Sequence, residues 1–207
     1  MGVFNDVLKP FIPDTAVDIT TQWLGMYPLQ IRISPSRATK LGDYRPPSSQ
    51  NKIHKISINR NLNKFSFLIT FTHEFAHLLC WEKHRNRVNP HGKEWKEIYK
   101  GLLYNLLESK IFPPEIEFEL TKVILGNVFA SSTSEKELSK ILQVYNTDPT
   151  PGVLLEDLTD SSLFKIHNGK TFQKGVKIRT RYKCYCLSNK RWYYVSPVAL
   201  VTPVVNE

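Results

Sequence analysis

Cysteine is scarce in this 207-residue chain: Cys80, Cys184 and Cys186 are an odd set, two of them only two positions apart. They cannot form a disulfide framework, which fits a reducing compartment. Long apolar runs are also missing. Uncharged stretches such as residues 123–134 and 195–206 fall well short of the ~20 apolar residues that span a bilayer. The opening MGVFNDVLKPFIPD lacks a basic region followed by an apolar run and a small-residue cleavage site, so it does not read as a secretory signal. Internal repeats and low-complexity tracts are absent as well. These absences lead us to expect a folded cytoplasmic protein with no membrane partner.

Acidic residues are nearly absent from one part of the chain. Between Ser161 and Glu207 nine lysines and arginines meet a single acid, Glu207, whereas the first 160 residues are almost balanced. Most of the net charge of +9 therefore sits at the C-terminal end. A polyanionic partner docking there is one reading, and a solubilising surface is the other.

What is present divides into two regions. Residues 14–27 read weakly as a helix ended by Pro28. Residues 30–34 (QIRIS) and 53–58 (IHKISI) alternate apolar with polar residues, the period of half-buried strands. The turn-rich GDYRPPSSQN lies between them, and a small antiparallel sheet is expected. After Asn61 or Asn63 as cap, residues 64–84 run without Pro or Gly and predict a long, buried helix. A second helix starts near Gly92, with Trp95, Ile98, Tyr99, Leu102, Leu103 and Leu106 on one face. Ser134 and Glu137 form a capping box for a third. The NTDPTPG stretch, residues 146–152, breaks the helical pattern, and beyond it residues 164–201 predict a small β-meander. The expectation is an α+β chain with domains 1–148 and 149–207.

The long helix carries His73-Glu74-Phe75-Ala76-His77, an HExxH pattern. Residues four apart share a helix face, so both imidazoles reach one ion. A catalytic zinc needs a third protein ligand and an open position for water, and Glu74 is placed to take that water's proton. For the third ligand His91 is preferred, because Asn89-Pro90 and Gly92 make a turn able to aim it back. Glu94 and Glu97 are rivals from the following helix. His84 is weaker, since a continuing helix carries it about 10 Å along the axis from His77.

The residues Leu41-Gly42-Asp43-Tyr44-Arg45, Ile56-Ser57-Ile58-Asn59, Asn61-Leu62, His73 to His77 and His91-Gly92-Lys93-Glu94-Trp95 together resemble the SprT-like metallopeptidases, relatives of the Spartan protease. The resemblance covers about residues 15–105. It implies a zincin-like fold, one Zn2+ held by His73, His77 and His91, and Glu74 as catalytic acid/base. More loosely it implies a protease cleaving proteins bound or crosslinked to DNA, with protein or peptide as substrate. In one respect the chain departs from the family. Many bacterial members continue into a four-cysteine zinc ribbon, whereas here only Cys184 and Cys186 stand in that region, and two small buried residues are expected rather than a second zinc site.

In residues 177–183 the cations Lys177, Arg179, Arg181 and Lys183 recur at every second position. On one strand they would share a face and form a ridge suited to phosphates, with Trp192, Tyr193 and Tyr194 as stacking surfaces for bases. Nucleic acid is thus the expected partner of the basic module. A non-proteolytic, zinc-containing nucleic-acid-binding protein is the alternative to the peptidase.

Overall fold

The computed structural model describes residues 7–37, 40–125, 132–146, 152–166 and 169–204. It divides into two compact units, residues 1–130 with 141–147, and residues 131–140 with 148–207. Among the described residues no helix is long and apolar enough to cross a membrane.

The first unit contains helix α1 (Val17–Leu24), strands β1 (Leu29–Ser34), β2 (Gly42–Arg45) and β3 (His54–Asn59), and helices α2 (Lys64–His84), α3 (Lys93–Glu108) and α4 (Pro114–Leu125). Helix α2 starts where the Asn63 side chain accepts the Ser66 N–H at 2.9 Å, satisfying an otherwise orphaned donor. It ends at Arg85, whose backbone turns left-handed at φ +54°. Phe67, Leu68, Phe71, Phe75 and Leu78 are buried around it, as expected of a helix enclosed by its neighbours. Trp23 of α1 stacks on Phe75 at 5.6 Å. The sheet and α3 pack on other sides of α2.

The sheet corrects the expected all-antiparallel arrangement. Its order is β1-β3-β2, and β1 runs parallel to β3, from Leu29 opposite His54 to Ser34 opposite Asn59. Alternation shows that a segment is a strand but not which way it runs. Here residues 35–53 are long enough to cross over, and they lay part of the turn-rich stretch down as edge strand β2, antiparallel to β3. Helix α4 is a further element that the apolar spacing did not reveal. Its signals were local: Pro114 at the start, with Glu115 and Glu117 in the first turn.

In the second unit, helix α5 (Ser132–Val144) begins in this unit and continues into the residues grouped with the first. Strands β4 (Val153–Leu154), β5 (Leu163–Lys165), β6 (Thr171–Gln173), β7 (Lys177–Ile178), β8 (Arg181–Cys186), β9 (Arg191–Val195) and β10 (Leu200–Pro203) form a sheet ordered β4-β10-β5-β6-β8-β7, with β9 also on β8. The last strand returns to β4 and β5, so the sheet is more than a meander. Leu155, Phe164, Phe172, Cys184, Cys186 and Val201 build its core. Both cysteines are packed as small apolar residues, as expected.

Candidate metal centre

The i, i+4 spacing on α2 places His73 and His77 on one face with ring centres 5.0 Å apart. His91 approaches from the turn that precedes α3, where the Gly92 N–H donates to Asn89 O at 2.9 Å. Its own backbone is left-handed at φ +58°, a conformation that costs a residue with a side chain about 1–2 kcal/mol. The strain brings three like atoms together. His91 Nε2 lies 3.0 Å from His77 Nε2 and 3.1 Å from His73 Nε2. Tetrahedral zinc with Zn–N of about 2.0–2.1 Å needs nitrogens about 3.3 Å apart. These three donors are therefore nearly spaced for it.

Among the described residues these three histidines are the group able to hold a metal. Glu94, Glu97 and His84 do not belong to it. Burial pushes His73 down to about 3, aided by His77 and His91, and His77 to about 4, aided by His91, and burial also lowers His91. The rings are thus neutral at physiological pH, with lone pairs available for a metal. Trp95 packs against all three at 4.6–5.0 Å between ring centres. Its buried Nε1 has no hydrogen-bond partner among the described protein atoms. Three convergent neutral imidazoles fit a zinc centre.

Glu74 lies beside this cluster on α2 and is 8% exposed. Burial and the nearby Asp43 carboxylate push it up to about 7, against the opposing pull of Arg37, Lys40 and the Tyr44 backbone N–H that donates to it. A carboxyl near 7 exchanges protons readily at neutral pH. Its carboxylate rests on β2 at Gly42, where a Cβ would come within 2.5 Å of Oε1. In the sequence Gly42 stood out only as part of the family pattern, because its role against Glu74 exists only once β2 lies across α2. The same holds for Tyr44, whose ring lies 6.3 Å from that of His77 at 6°.

The SprT-like family model matches residues 20–112, which contain all of these groups. The chain carries a SprT-like domain. Outside that model, its relatives include Protein SprT of Enterobacter sp. (strain 638), 35% identical over 77 residues, which are 37% of this chain and 46% of that protein. Protein SprT of Salmonella arizonae and of Salmonella newport are each 34% identical over 77 residues, with the same coverage. The chain thus spans about half the length of the curated relatives it matches. No solved structure matches. The region matched by the family model ends before the basic sheet begins.

That sheet corrects the expected basic ridge. The four cations do not lie on one strand, because Arg179 and Thr180 turn the chain back between β7 and β8, Arg179 at φ +54°. Lys177 pairs with Tyr182 and Ile178 with Arg181. Opposed residues share a sheet face, so Lys177 stands on the face of Tyr182, opposite to Arg181 and Lys183. The face of Arg181 and Lys183 also carries Tyr185, Trp192 and Tyr194 through the β8–β9 register. Trp192 and Tyr194 are 56% and 58% exposed, and Lys183 Nζ lies 4.8 Å from the Trp192 ring centre. Tyr193 instead turns inward, against Phe172.

Proposed function

We propose that the SprT-like domain is a zinc-dependent peptidase. The observation that carries this reading is the pairing of three convergent neutral imidazoles with a buried carboxyl held near neutrality. His73, His77 and His91 would hold the zinc ion, which when bound supplies Lewis acidity toward a peptide carbonyl and toward water. Glu74 accepts the proton of the attacking water and delivers it to the leaving amine, a double use suited to a group titrating near 7. Trp95 keeps bulk water from one side of the imidazoles.

A peptide also has somewhere to lie. Among the described residues β2 pairs with β3 alone. Its other edge offers backbone donors and acceptors to an extended chain beside Glu74, the β-addition mode of peptide recognition.

For the second unit the proposed partner is nucleic acid, so that the substrates would be proteins bound to it. Support comes from the exposed Trp192 and Tyr194 beside Arg181 and Lys183, a stacking surface with cations for phosphates. The same face favours the alternative of a non-proteolytic binding protein if hydrolysis is absent. Glu74→Gln decides between them. Loss of peptide hydrolysis by about 10²–10⁴-fold with zinc content unchanged is expected, whereas a wild-type protein that binds zinc but cleaves no protein, with or without DNA, overturns the peptidase.

A further inference from the structure

His54 opens β3 and is 1% exposed, yet both of its ring nitrogens are engaged. Nδ1 lies 2.9 Å from the Tyr44 hydroxyl on β2, and Nε2 lies 3.0 Å from Glu82 Oε1 on α2. A carboxylate can only accept, so Nε2 carries the proton, and Nδ1 is left to accept from the Tyr44 O–H. Glu82 is fixed in turn by Arg85, whose Nη1 donates to it at 2.9 Å while the guanidinium lies 3.9 Å from the Trp81 ring centre. Trp81 meets the His54 ring edge-on at 5.3 Å. A line of hydrogen bonds therefore joins β2, β3 and the C-terminal part of α2.

Tyr44, at the end of that line, reaches the metal centre twice. Its backbone N–H donates to the Glu74 carboxylate, and its ring lies alongside that of His77. Its hydroxyl is turned away toward His54. A buried histidine needs partners for its own sake, and Glu82 alone could satisfy one nitrogen. The second bond, to Tyr44, ties the histidine to a residue that touches both the base and a ligand.

We infer that His54 is a positioning residue: bridging Glu82 to Tyr44, it fixes Tyr44 and so sets the Glu74 carboxylate and the His77 ring. The consequence for hydrolysis rests on the peptidase reading, while the consequence for metal geometry does not.

The test uses the full chain carrying cobalt(II), whose visible absorption bands report ligand geometry, together with zinc affinity from chelator competition. Tyr44→Phe and His54→Gln are compared with Ile116→Val, a core change on α4. Groups that orient metal ligands usually contribute about 10–100-fold in affinity. We expect both network variants to shift the cobalt bands and to lose about tenfold in zinc affinity, and Ile116→Val to change neither. Wild-type bands and affinity in Tyr44→Phe and His54→Gln would reduce the network to core packing and overturn the inference. Shifted bands in a protein whose wild type hydrolyses no peptide would sink the peptidase and leave the positioning role standing. A wild type that takes up no metal overturns both.

Discussion

Gly42 and Glu74 are in contact across the β2–α2 interface: the carboxylate occupies the space a Cβ on Gly42 would fill, 2.5 Å from Oε1. Gly42→Ala should therefore push the carboxylate aside without touching the three histidines. We expect zinc content as in wild type and hydrolysis down by about 100-fold, the usual consequence of displacing a catalytic group by an ångström. Wild-type kcat/KM in this variant would show that the carboxylate is free to move.

His91→Ala should lower zinc affinity sharply, while Glu94→Ala and Glu97→Ala should not, since neither glutamate joins the donor cluster. Isothermal titration of the three variants separates them. Zinc bound by His91→Ala as tightly as by wild type would move the third ligand elsewhere.

Acid should unfold the metal-free protein. His73 and His77 titrate at about 3 and 4 in the folded chain, against an ordinary value of 6.5. Their depressed basicity means that the unfolded chain binds more protons across that window. Stability is then fully present above pH 6.5 and is lost as pH falls toward 4 and 3. Thermal melts of chelator-treated protein should hold their Tm above neutrality and fall below it, with a shallower fall in His73→Ala. A Tm independent of pH between 7 and 4 would contradict the buried, neutral state of these rings.

Salt dependence tests the basic sheet face by face. Each phosphate contact contributes about −0.7 to −0.9 to the log–log slope of affinity against salt. Changing Arg181 and Lys183 to Gln should flatten the slope for single-stranded DNA by up to about 1.5 units. Trp192→Ala should weaken binding by about 1–3 kcal/mol through lost stacking. Lys177→Gln, on the opposite face, should do less. Equal effects from both faces would mean that the sheet acts only through its net charge.

The metal centre was far more legible in the sequence than its surroundings. Local periodicity places His73 and His77 together, and the turn residues around His91 point it toward them. What periodicity does not encode is which strand lies against which helix, so Gly42, Tyr44 and His54 went unread as partners of the site. The same limit explains the parallel β1–β3 pair. In residues 177–183 the alternation itself misled, because a two-residue turn at Arg179 and Thr180 interrupts it, and neither residue is among the glycines and asparagines that usually mark such turns. In the second unit the paired cysteines were legible as small buried residues, and they lie in its core.

Cys184 and Cys186 are wholly enclosed by that core, and the sheet around them is held by apolar packing and backbone pairing. Among the described residues neither thiol joins a group able to hold a metal. On the proposed peptidase reading, removal of zinc is expected to abolish hydrolysis while this sheet stays folded, its aromatic and cationic face still exposed.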